Sequence, residues 1–91
     1  MKKEMSTKNH DRLILLGLTI SALRKYRGLS QEQLAQRACV SCSLIRAVEA
    51  PGCARSLSLD AFYSIADALD IEPAKLLRAP AQLEHLLGPN I

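Results

Sequence analysis

Three cysteines are the first residues whose type and spacing could do chemistry. Cys39 and Cys42 stand at C-x-x-C spacing and Cys53 follows shortly after. Such a pair could hold a metal or exchange disulfides. A structural zinc site wants four ligands, and the two histidines, His10 and His85, lie near opposite ends of the chain. A redox C-x-x-C sits at a helix start after a strand, and no strand pattern precedes this one. Neither a metal nor a cofactor is therefore expected. Thiol sensing through Cys42 or Cys53 stays open as a separate reading. No glycine-rich phosphate loop and no nucleophile–base set is present, so an enzyme is not expected.

Charge is the second chemical signal. The chain has 91 residues and a net charge of +3. Residues 1–58 hold ten Lys/Arg against four Asp/Glu, a net +6. Residues 59–91 hold two against five, a net −3. A basic front and an acidic back suit a half that meets a polyanion and a half that meets a partner.

The elements that position these residues are helices. Apolar residues make up 48% and charged residues 23%, a globular composition for one small domain. Ala, Leu, Gln, Lys, Arg and Glu dominate over β-branched runs, which favours helix. The apolar run from Leu13 to Ile20 is broken by Gly17 and Thr19 and is too short to span a bilayer, so no membrane partner is expected. The opening residues, Met-Lys-Lys-Glu, carry no apolar leader pattern. A cytoplasmic location is expected, where thiols stay reduced.

A first helix is read from a cap at Asn9 to Arg27, with Asp11 in its first turn and Gly28 just past its end. Ser30-Gln31-Glu32-Gln33 is a capping box that opens a helix over 31–38. Ser41 caps a third over 42–49, which stops before Pro51-Gly52. Residues 51–57 read as a loop. Ser58 caps a fourth helix over 59–69, and Pro73 opens a fifth through Leu77. Leu83, Leu86 and Leu87 line one side of a further short turn. The expected fold is all-α, with five short helices and a sixth at the C-terminus in reserve. Residues 1–8 read as a disordered tail, 9–79 as the domain, and 80–91 as an extension that either joins a dimer or packs on the first helix.

The second and third helices are about eight residues each and joined by Cys39-Val40-Ser41. A basic setting and so short a turn are what a helix-turn-helix needs. Ala35 lets the two helices approach. Leu34, Val40, Ile45 and Val48 supply the apolar positions that lock them.

The stretches "LRKYRGLSQEQLAQRACVSCSLIRAVE" and "LSLDAFYSIADALDIEPAKLL" resemble the phage-repressor/Cro type of helix-turn-helix regulator, also called the xenobiotic-response-element family. The resemblance runs from Leu16 to Leu77. It implies a compact repressor-like fold that binds double-stranded DNA. It implies that Gln31 contacts a phosphate at its helix start. It places Ser41 to Ala47 along the major groove, with Cys42, Ser43, Arg46 and Ala47 towards the bases. It also implies a partly buried ion pair between Arg24 and Glu49. Arg55, in the loop, becomes a candidate phosphate contact.

Several positions depart from the family pattern. Cys39 stands where glycine is usual, so it must tolerate positive φ or the turn must differ. Cys42, at the exposed start of the recognition helix, is a poor hydrogen-bonding reader, and Ala47 often corresponds to a polar residue. The loop at 50–57 is about two residues longer than common, and Leu57 replaces a frequent proline.

The function read from the sequence is a sequence-specific double-stranded DNA-binding transcriptional regulator, a repressor acting as a homodimer. Two recognition helices on a two-fold read more sequence than one. Leu13, Ile14, Leu15, Leu16, Leu18 and Ile20 make the first helix apolar almost all round, more than one core face needs. The alternative is a protein-interaction module or antitoxin-like regulator with weak DNA binding, whose main partner is a protein. A third reading is nucleic-acid binding without sequence preference.

Overall fold

The computed structural model describes residues 6–78, and they form five helices with no strand among them. They are α1 (Thr7–Tyr26), α2 (Gln31–Ala38), α3 (Cys42–Glu49), α4 (Leu59–Ala68) and α5 (Pro73–Leu77). The all-α expectation holds. Leu83, Leu86, Leu87 and the extension at 80–91 lie outside the described residues.

Local chemistry fixes most boundaries. At α2 the Gln33 N–H donates to Ser30 Oγ and the Ser30 N–H donates to Gln33 Oε1, a complete capping box. Ser41 and Ser58 accept from the Leu44 and Ala61 N–H groups in the same way. Each such cap satisfies a donor that the helix itself leaves orphaned. The first helix begins earlier than the sequence suggests. Ser6 is its cap, accepting from the Asn9 N–H at 3.1 Å. Asn9 and Asp11 therefore lie inside α1, and the Asn9 Oδ1 accepts from Arg12 Nη1. The fourth helix ends at Ala68 rather than Leu69.

Three helices end through a left-handed residue. Gly28 (φ 73°) follows α1, with the Gly28 N–H donating to Lys25 O and the Leu29 N–H to Arg24 O. This paired pattern satisfies the last carbonyls of the helix. Cys39 repeats it after α2 at φ 56°, and Asp70 after α4 at φ 55°. The turn thus keeps the glycine geometry although Cys39 carries a Cβ. A left-handed L-residue costs about 1–2 kcal/mol, and glycine's chain entropy offsets part of that. Cys39→Gly is expected to raise stability by about 0.5–1 kcal/mol. A urea titration followed by circular dichroism measures this, and a lower midpoint would contradict it.

The core draws on every helix. Ile20 and Leu23 from α1, Leu34 from α2, Ile45 from α3, Ile65 from α4 and Leu76 from α5 are all buried, as is Leu69 just past α4. Such burial contributes roughly 1.5–3 kcal/mol per large side chain before entropy is counted. α2 packs on both α3 and α4, and α1 packs on α3 and α5. Ala35 is buried where α2 meets its neighbours, and Val40 packs against the core from the turn. Arg27 braces the far end of α4. Its Nε donates to Leu69 O at 2.9 Å and its Nη2 to Asp70 O at 3.1 Å.

Candidate nucleic-acid interface

The α2–turn–α3 unit is held from behind by charge. Arg24 Nε and Nη2 donate to the two carboxylate oxygens of Glu49 at 2.8 and 2.9 Å. Arg24 Nη1 donates to Leu29 O at 2.7 Å. Both residues are buried. Two parallel bonds to one carboxylate make the strongest geometry open to arginine. The bond to Glu49 raises the Arg24 pKa above the ordinary arginine value; burial opposes this and the Glu49 charge adds to it. The pair ties the first helix to the end of the third, as the family resemblance implies.

Gln31 opens α2 and is half-buried. Its Nε2 donates to Glu49 Oε1 at 3.1 Å, a contact the sequence did not announce. Ser41 is exposed and its Oγ caps α3. Ser43 and Arg46 are exposed on α3, and Ala47 is half-buried. Arg55 is exposed in the loop after α3. That loop turns at Pro51-Gly52, where Gly52 has φ 70° and the Cys53 N–H donates to Ala50 O.

Cys42 is not fully exposed, in contrast to the sequence expectation. It is half-buried and packs against the core beside Leu44. The helical period explains this, since Cys42, Ile45 and Glu49 fall on the inward side of α3. The exposed chemistry of α3 is therefore one guanidinium and one hydroxyl. All three thiols are free, with Cys39 and Cys53 exposed. Among the described residues no three His, Cys, Asp or Glu side chains group as a metal site.

A second surface feature lies on α1 and α5. Leu15, Leu18 and Leu77 are 43, 51 and 64% exposed. An apolar groove between the helices is lined by Leu13, Leu15, Leu16, Leu76 and Leu77, with Arg12 and Thr19 at its polar edge. Among the described residues no helix is long and apolar enough to cross a membrane.

Comparison with known proteins gives the same architecture. The model of a helix-turn-helix domain matches residues 15–79. Among solved structures, the chain is similar to the restriction-modification controller protein C.AhdI from Aeromonas hydrophila. The two share 39% sequence identity with a TM-score of 0.64, over 72% of this chain and 96% of that one. No curated protein matches the chain. The chain belongs to the helix-turn-helix domain family and has the fold of a DNA-binding transcription regulator.

Proposed function

We propose that this regulator is of the phage-repressor/Cro type and represses transcription as a homodimer on a palindromic operator. α3 enters the major groove, and the start of α2 meets the phosphate backbone. The observation that carries this is the side-chain arrangement of the two helices. Arg46 and Ser43 are exposed on α3, while Glu49 on the same helix is locked to Arg24. A short helix held rigidly with a guanidinium outward suits bidentate contact with a guanine edge. Gln31 and Arg55 contact phosphates, which position the protein without reading sequence. Similarity to a protein named as a restriction-modification controller supports control of gene expression as the outcome.

The homodimer reading draws on the apolar groove between α1 and α5. A monomer gains nothing by leaving Leu15, Leu18 and Leu77 in water, whereas a second copy would cover them. The groove belongs to α1 and α5, so α3 stays available for DNA.

Sequence selection from a random duplex pool, followed by titration of the selected duplex, tests the reading. Arg46→Ala is expected to cost about 1–3 kcal/mol and to relax preference at one position of each half-site. Affinity should fall steeply with salt. Absence of salt-dependent binding to any duplex at low salt would sink the DNA reading. Sedimentation of the same samples should give a dimer for the wild type and a monomer for Leu15→Glu; a monomeric wild type refutes the homodimer.

A further inference from the structure

Glu49 closes α3 with its carboxylate turned into the protein. One oxygen, Oε2, accepts from Arg24 Nε. The other, Oε1, accepts from Arg24 Nη2 and from Gln31 Nε2. A carboxylate only accepts, so the amide nitrogen of Gln31, not its oxygen, must face Glu49. That fixes which way the amide is turned. Nε2 carries two hydrogens, and the bond to Glu49 uses one. The second N–H has no protein partner among the described residues.

We infer that Glu49 is a positioning residue for DNA: it clamps the Gln31 amide so that the free N–H is presented to a backbone phosphate at the start of α2. The inference rests on the major-groove reading above. Arg24 completes the device. An unpaired carboxylate beside the phosphate backbone would repel it, and the bidentate guanidinium cancels that charge. The clamp also moves a cost. A free glutamine loses its rotamer freedom when it binds, whereas Gln31 has already lost it on folding.

The discriminating experiment is a double-mutant cycle in DNA affinity with the full chain and the selected duplex. Gln31→Ala and Glu49→Gln are each expected to weaken binding about fivefold to tenfold. Glu49→Gln should cost much less when Gln31→Ala is already present, because both act through one contact. Independent, multiplying losses would overturn the inference while leaving the DNA reading intact. Failure of the wild type to bind any duplex at low salt would remove both. Thermal melts establish that each variant is folded. Should Glu49→Gln not fold, the side-chain amide signals of Gln31 in the wild type decide by nuclear magnetic resonance. One proton is expected to shift on adding duplex while its Glu49-bound mate stays. If saturating duplex moves neither proton, or the bond to Glu49 is lost, the clamp is refuted.

Discussion

Gly17→Ala is expected to destabilise the fold by at least ~3 kcal/mol, the upper end of what overpacking costs. A Cβ at Gly17 would overlap the backbone carbonyl oxygen of Val48 and stand 3.2 Å from its carbonyl carbon. The obstacle is backbone, so no rotamer change relieves it. α1 and α3 would have to separate, and Ile20, Leu23, Ile45 and Val48 would lose packing around them. Alanine's better helix propensity returns only about 1 kcal/mol. At roughly 0.05–0.15 kcal/mol per residue, a domain of this size has little stability to spare. Separation would also draw Arg24 away from Glu49, since the same two helices carry them. DNA affinity should therefore fall with stability. Urea titration by circular dichroism checks the first effect; a midpoint equal to or above the wild type would show that the helices do not meet at Gly17.

Features set by neighbours in the chain were legible in the sequence. The serine caps at Ser30, Ser41 and Ser58 act three residues ahead, so α2 and α3 stand where the sequence places them. The start of α1 was less legible. Ser6 and Asn9 are both good caps, and the polar residues between them offer no apolar period to choose with. Cys42 was misjudged as exposed because its position at a helix start was weighed above its spacing from Ile45 and Glu49.

Contacts between distant segments were legible only where a family pattern carried them. The Arg24–Glu49 pair came from the resemblance, because no local rule joins those positions. Nothing comparable pointed to Gly17, whose partner is a carbonyl on another helix. Its one signal was a glycine within a helical apolar run, which often has a packing reason. Arg27 was read only as the last residue of the first helix. It serves α4 instead, at a left-handed Asp70 that no motif announced. The Gln31 contact joins residues separately assigned to phosphate and ion pair, and only their geometry shows one device.

Glu49→Ala is the second large effect, with an expected loss of about 3–5 kcal/mol. The side chains of Arg24 and Glu49 are 11 and 4% exposed. Removing the carboxylate leaves a buried guanidinium with only the Leu29 carbonyl as a partner among the described residues. Arg24 cannot relieve this by losing its proton, because a guanidinium stays protonated far above neutral pH. The bond to Glu49 raises the Arg24 pKa further in the fold, so its stabilising contribution is fully present at every pH below the ordinary arginine value and is lost only as the pH rises through the folded one. A buried ion pair need not stabilise more than an apolar pair of similar volume. Arg24→Met with Glu49→Leu is therefore expected to be more stable than either single change, and to recover most of the loss. Chemical denaturation of Glu49→Ala, the double variant and its two single variants measures this; a loss below about 1 kcal/mol for Glu49→Ala would mean the pair is solvated. The apolar pair separates stability from function. It restores packing between α1 and α3 but offers Gln31 no acceptor. A folded double variant that binds DNA as weakly as Gln31→Ala would place the value of this ion pair in aiming the amide, beyond what it adds to holding the helices together.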